Sequence, residues 1–398
     1  MADALDVEIQ RVNAHTRAML AEYVAWGDSI VVGEVTQWMY NELIDFVNFR
    51  METAETCLQL ISVDKIGDAL GLCRSLLENY LLFMLMCRGR KLFRLRDRSD
   101  LTEGDFKKFV RDEQEKLKEQ QVAGTATCLA VEKYPRAKRR VMYVFEGLKD
   151  KDDPDFVVPA HYFYFREFHP EAMRLKQGDY FEYYPLPSDT QQAIREHGRN
   201  TALLYQRYLS YDALLTCLEL NDLVDQAAIA RVEAHYTFLG RFLHPTHNAV
   251  RDLHHNNNYH ASKPAIGMHS TYSRPARLLA SLYVCYLVAG LLNEIAELHE
   301  TAPKQFIQEA GTESLRQLTA AVPVRMAYFW FLFNDPPLYD KFQHCSHHVT
   351  EEELKEFGHY SKVSNEQIAF DQHILKHLEQ SLTGRSNHKC GIYNSPIG

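Results

Sequence analysis

The chain has eight cysteines (57, 73, 87, 128, 217, 285, 345 and 390) but no Cys-x-x-Cys pair, and most of them lie in apolar runs. No disulfide framework is implied, and the thiols are read as reduced core residues of a cytoplasmic protein. The sequence contains no G-x-x-x-x-G-K-[ST], no G-x-G-x-x-G and no G-x-S-x-G. ATP hydrolysis, dinucleotide redox chemistry and serine hydrolysis therefore lack their usual signals. Positive charge is not in excess: 44 Lys and Arg stand against 53 Asp and Glu, a net charge of -9, which excludes a protein that coats nucleic acid through its overall charge. No run reaches the length of about 20 apolar residues that a bilayer crossing needs. The longest uncharged run, Leu278 to Asn293, includes Ser281, Gly290 and Asn293 and reads as a buried core helix, so no membrane partner is expected. The N-terminal MADALDVEIQRVNAHTR is polar and mixed in charge, unlike a signal or transit peptide.

What is present is enough to fold. With 46% hydrophobic and 12% aromatic residues in 398, the chain can bury one large core or two ordinary ones. Apolar residues recur at three- and four-residue spacing near 5–25, 34–62, 66–93, 103–121, 190–220, 222–243, 272–300 and 364–382, and convincing two-residue alternation is scarce. This predicts an all-α protein, with no repeat of solenoid period. The exception is 147–189, where Pro, Asp and ten Phe or Tyr between Phe156 and Tyr184 predict an ordered excursion, with room for a short hairpin. Its aromatics can clad the helical body or form a base-stacking platform.

Charge is uneven. Residues 88–140 carry sixteen Lys or Arg and nine Asp or Glu, net +7, and the sharpest part is RGRKLFRLRDR at 88–98. Arg90, Lys91 and Arg94 within it are candidates for gripping a phosphate backbone; a solvated face is the plainer account.

Two sets of polar residues sit where apolar ones belong. In the helix around 66–87, Leu70, Leu77, Leu81 and Leu85 fall in a sector of about 80°. Arg74 lies inside that sector and Glu78 on its edge. Burying either charge alone costs several kcal/mol, so the two should pair with each other or with a neighbouring helix, as a structural ion pair or as the wall of a polar pocket. The second set is GRFLHPTHNAVRDLHHNNNYH at 240–260, with five of the nineteen histidines plus Arg241 and Arg251. Pro245 and the Asn256–Asn258 stop predict a short helix near 245–255. His247, Arg251 and His254 project from it within about 60°, with Val250 and Leu253 toward the core. Imidazole can move a proton near neutral pH and guanidinium can hold a phosphate, which are the parts of metal-free RNA cleavage. A metal site lacks His-Glu-x-x-His and has only Asp252 as a nearby carboxylate; a structural His/Asn-rich turn is the remaining reading. QHCSHHV at 343–349, with His344, Cys345, His347 and His348, reads as a polar loop, and His373 and His377 as surface residues.

At Arg74-Ser75-Leu76-Leu77-Glu78 and Phe242-Leu243-His244-Pro245-Thr246-His247 the sequence resembles the HEPN superfamily. The similarity is to a bacterial branch whose first core helix carries Arg-Ser-x-x-Glu and whose later helix junction carries a His-Pro turn. The resemblance covers 66–87 and 205–300. It implies a HEPN-like antiparallel helical bundle, with N-terminal helices 1–87 that include the first core helix, an insertion at 88–204, the remaining bundle helices at 205–300 and an extension at 301–398. It further implies frequent homodimerisation, no cofactor, a toxin or anti-phage setting with a regulatory or antitoxin partner and, in active members, metal-independent endoribonuclease activity on RNA. Active members carry an Arg followed after four to six residues by a His, a spacing met by Arg241 and His247. On that reading His247 is the general acid/base, Arg241 holds the scissile phosphate, and His244, Arg251 and His254 assist. Arg74 and Glu78 fix the cluster from the facing helix. Phe242 stands where active members are polar and Pro245 interrupts the interval, which keeps open a silent module that binds a nucleotide, an RNA or a protein.

Overall fold

A computed structural model describes residues 2–32, 38–88, 92–126, 128–133, 139–145, 173–176, 179–183, 211–244, 247–254, 271–301, 307–309, 311–368 and 370–386. In the first half the elements are α1 (Ala2–Gly27), β1 (Val31–Val32), α2 (Trp38–Ser62), α3 (Ile66–Arg88), β2 (Leu92–Asp97), α4 (Glu103–Val122), β3 (Ala130–Lys133), β4 (Arg140–Phe145), β5 (Met173–Lys176) and β6 (Asp179–Tyr183). Then come α5 (Tyr211–Leu220), α6 (Gln226–Leu243), α7 (His247–Leu253), α8 (Arg274–Thr301), β7 (Ile307–Glu309), α9 (Glu313–Arg325), α10 (Leu338–His348), α11 (Glu351–Phe357) and α12 (Ile374–Ser386). The described chain is mostly helical, in agreement with the all-α expectation.

Helix α8 is the spine. It is apolar nearly all round, so no single stripe can be buried and the helix must be covered on several sides. Leu278, Leu282, Val284, Leu287, Leu291 and Ile295 are inaccessible, with α1, α2, α3, α9 and α12 packed against it. Among the described residues it is the one helix long and apolar enough to cross a membrane, and 89% of its most apolar stretch is buried within the protein. Asp64, in the left-handed region at φ 61° that Asp tolerates better than most residues, closes the α2–α3 turn. It pairs with Arg277 at 2.9 Å, clamping that turn to the start of α8.

A small α/β layer departs from the expected pattern. α3 stops at Arg88, and the predicted continuation to 93 gives way to β2, which pairs antiparallel with β4 from Leu92↔Phe145 to Asp97↔Arg140. β3 flanks β4 on its other side, giving the order β2-β4-β3. Val141 and Tyr143 face Phe106, Val110 and Leu117 of α4, while the alternate residues Met142 and Val144 join the main core. A strand covered on both faces has no polar side to alternate with, so two-residue periodicity was absent from the sequence.

The predicted helix at 364–382 is shorter and later, Ile374–Ser386. Upstream, the Ser364 hydroxyl accepts from the Glu366 amide at 3.3 Å and the Asp371 carboxylate from the His373 amide at 2.9 Å. These local bonds compete with helical ones. β5 and β6 pair as a hairpin within 147–189; what its aromatic side chains do lies outside the described residues, as does 190–210 of the predicted helix 190–220. Cys57, Cys73, Cys87, Cys217, Cys285 and Cys345 are buried and Cys128 is half-buried, and none of them forms a disulfide among the described residues.

Candidate functional site

α3 and α6 approach closely along a track of small residues. A Cβ at Gly71 would lie 3.4 Å from Leu243 and 3.8 Å from the Phe242 carbonyl oxygen, and one at Gly240 would lie 3.8 Å from Nη1 of Arg74. The lack of side chains at these two glycines lets the end of α6 lie against α3 and leaves space for a guanidinium at the crossing.

Arg74 occupies that space. Its guanidinium lies over the Tyr236 ring, 4.3 Å from the centroid, and Nη2 donates to the Tyr236 hydroxyl at 2.5 Å. That hydroxyl in turn donates to Glu78 Oε1 at 2.8 Å. Arg74 and Glu78 are therefore joined through Tyr236. Burial pushes the Tyr236 phenol upward, with the Glu78 carboxylate acting in the same sense and Arg74 opposing. Nε of Arg74 is buried without an acceptor among the described residues. Tyr236→Phe keeps the ring beneath the guanidinium and removes both hydrogen bonds. Urea unfolding is expected to register a loss of about 1–2 kcal/mol, less than two fully buried charges would require, because Arg74 and Glu78 are both half-exposed. Unchanged stability would show that the bridge does not hold the helices.

Arg241, one residue beyond Gly240, is exposed, and so is His244 at the end of α6. Phe242 between them is half-buried and packs edge-on to Phe238, 5.2 Å between ring centroids. The short helix predicted near 245–255 is α7, His247–Leu253. Its first residue is His247, whose side chain lies outside the described residues, as do Val250, His255 and His260. Leu253 and Ala249 are buried and Arg251 is exposed. His254 is half-buried, bridged to Tyr272 in a short antiparallel pairing, with the rings 5.1 Å apart. Burial lowers its pKa, favouring the neutral ring. Tyr272 reaches the first turn of α3, its hydroxyl 3.6 Å from where a Cβ of Gly67 would be. One flank of α3 thus meets Tyr272 at residue 67, the end of α6 at 71, and Gly240 and Tyr236 at 74 and 78.

The basic segment is divided among structural duties. Arg88 donates to the buried Glu294 at 2.7 Å. Arg98 lies over Phe109 and pairs with Asp100 at 3.2 Å, and Arg96 lies over Tyr143, 5.4 Å from its centroid. Arg94 is placed only by its backbone, opposite Tyr143 in the sheet, and Arg90 and Lys91 lie outside the described residues. β2 is an edge strand, where charged side chains discourage further strand pairing.

His344, His347 and His348 belong to helix α10, where a loop was expected. No group of three or more His, Cys, Asp or Glu among the described residues is arranged to hold a metal. His377, expected at the surface, packs edge-on to Phe331 at 4.4 Å; its Nδ1 accepts from the Asp371 amide at 3.2 Å.

Tyr236 escaped sequence reading because a tyrosine on an amphipathic helix has the pattern of any core aromatic. Its position four residues before Gly240 was the available signal, and it has meaning only once α3 is known to be the neighbour. His235 escaped for the same reason. It is fully buried, 2.5 Å from the Tyr283 hydroxyl and 2.8 Å from the Phe331 carbonyl oxygen. No protein-family model, no curated protein and no solved structure matches the chain.

Proposed function

We propose that this chain is a HEPN-like, metal-independent endoribonuclease, a cytoplasmic toxin or defence effector whose active centre is the junction of α6 and α7. The observation that carries the reading is the convergence of two distant segments: the Arg74 guanidinium, held by Tyr236, lies against Gly240, immediately beside exposed Arg241. In this reading Arg241 holds the scissile phosphate and His247 acts as general acid/base, with His244 and Arg251 binding substrate. The 2'-oxygen attacks the adjacent phosphorus. The O2'–P bond forms as the P–O5' bond breaks, the 2'-hydroxyl proton passes to imidazole or water, and the 5'-oxygen takes one up, leaving a cyclic phosphate and a 5'-hydroxyl. His254, neutral and packed on Tyr272, supports the turn. Arg90, Lys91 and Arg94 extend the contact with RNA.

The test is digestion of RNA in excess EDTA by the wild type, His247→Ala and Arg241→Ala. Cleavage that survives chelation and is lost by at least a hundredfold in both variants supports the reading; cleavage equal in all three removes it. The packing of Phe242 on Phe238 favours a second reading, a silent HEPN-like module that binds RNA, a nucleotide or a protein. Retained RNA binding with no cleavage by any form is its signature.

A further inference from the structure

Helix α6 buries Val232, His235, Phe238 and Leu239, and Arg231 is buried with them, one turn before His235. Only 5% of Arg231 is exposed. A long basic side chain ordinarily lays its methylenes on apolar surface and keeps its charged head in water. Here Nε of the guanidinium is closed off from solvent with no acceptor among the described residues. Burial holds the group below its usual pKa, with Asp225 and Asp335 acting in the opposite sense. Both carboxylates are exposed and otherwise engaged. Asp225 caps α6, accepting from the Ala228 amide at 2.6 Å, and Asp335 accepts from Asn365 at 2.8 Å. What Arg231 does meet is Trp330, whose indole centroid lies 5.9 Å from the guanidinium carbon. Trp330 is 1% exposed and edge-on to His377 at 6.1 Å, and its Nε1–H is also buried without an acceptor among the described residues.

Two buried N–H donors, one of them cationic, thus stand close together with nothing to accept from them. Native proteins satisfy almost all such donors, and a charged one left bare is the most costly kind. We propose that Arg231 and Trp330 form a recognition site for a carboxylate group, which accepts from Nε of the guanidinium and from Nε1 of the indole. With donor–acceptor distances of about 2.9 Å on either side, one carboxylate spans a separation of this size. The planar guanidinium matches its two oxygens. A phosphate dianion is disfavoured, because Asp225 and Asp335 beside the site repel its second charge. The site is separate from the RNA-cleaving reading, since neither residue takes part in the α3–α6 crossing.

Nuclear magnetic resonance of the full chain, labelled with 15N at the indoles, tests it. The three tryptophans, Trp26, Trp38 and Trp330, give three Nε1–H signals, and Trp330→Phe identifies the one that belongs to residue 330. Sodium acetate, titrated against sodium chloride at constant ionic strength, should move that signal downfield to saturation and leave the other two in place. Sodium phosphate should not move it. Arg231→Met should weaken the response to acetate by about tenfold or more, and without acetate should melt no lower than the wild type, because a stranded charge has been removed. A response to acetate but not to a capped peptide bearing one glutamate identifies a free acid as the ligand; a response to both identifies a carboxylate presented by a protein. A Trp330 signal indifferent to acetate, an equal response to phosphate, or an Arg231→Met protein that fails to fold would each overturn the proposal. So would an upfield shift of the untreated signal in Asp225→Asn or Asp335→Asn, since one of the chain's own carboxylates would then be the acceptor.

Discussion

Replacing Gly290 with alanine is expected to destabilise the protein by about 2–3 kcal/mol, although the same change in an open helix stabilises by about 1 kcal/mol. Gly290 lies in α8 where α3 crosses it, and an added Cβ would sit 2.6 Å from Cε2 and Cζ of Tyr80. No real Cβ tolerates that distance. The Tyr80 ring has little room to retreat, being buried and packed edge-on to Phe333 at 5.0 Å. Either the ring leaves its packing or the two helices separate, and both disturb the spine. The sign is diagnostic. In a Tyr80→Ala background the obstruction is gone, so Gly290→Ala should become stabilising through helix propensity alone. Urea unfolding of the four proteins gives the cycle; the same loss in both backgrounds would rule out the clash as its cause.

The second large effect is acid lability. Phe331 offers His235 a carbonyl, which can only accept, so Nε2 carries the proton and Nδ1 accepts from the Tyr283 hydroxyl. A second proton on that ring would reverse the Tyr283 bond, turning the hydroxyl from donor to acceptor, and would place a charge among Phe329, Phe331 and Tyr283. Burial accordingly takes the His235 pKa down to about 3, with His377 and Arg231 adding to the depression and the Phe331 bond opposing it. His299, beneath Trp26, falls to about 4 through burial. An unfolded histidine titrates near 6.5. The stabilisation from the neutral rings is thus complete above about pH 6.5 and is lost as the pH falls toward 4 and then 3. Each group removes about 1.4 kcal/mol per pH unit inside its window. Unfolding free energy should therefore drop steeply between pH 6.5 and 4. His235→Gln should be less stable at neutral pH and show a visibly shallower drop. A slope identical to that of the wild type would mean that His235 does not control the acid limb.

These two effects mark the boundary of what the chain's order of residues reveals. Leu278 to Asn293 announced a core helix because its apolar residues surround the axis, and α1, α2, α4 and α6 were readable from their stripes. The β2-β4-β3 layer was not, since Val141 to Val144 is apolar on both faces and the alternation that marks a half-covered strand is missing. Nor was the end of α3 at Arg88, where pairing with β4 outweighs local helical preference. At the candidate site, Arg74 and Glu78 were legible as charges among the leucines of α3, and the His-rich turn as a cluster. Their intermediary was not, because Tyr236 acquires its role only from a helix more than 140 residues away in sequence. Close approaches such as Gly290 against Tyr80 are likewise invisible in one dimension.

The central position of α8 has a consequence for how the chain is made. α1 ends at Gly27, while the spine it packs against begins at Arg274. A chain leaving the ribosome from its N-terminus exposes three helices with apolar faces long before the element that covers them has been synthesised. At about 5–20 residues per second the exposure lasts tens of seconds. Charges such as Arg17 and Glu52 on the early helices, and Glu8 and Arg11 ahead of them, help keep that nascent stretch in solution until the spine arrives.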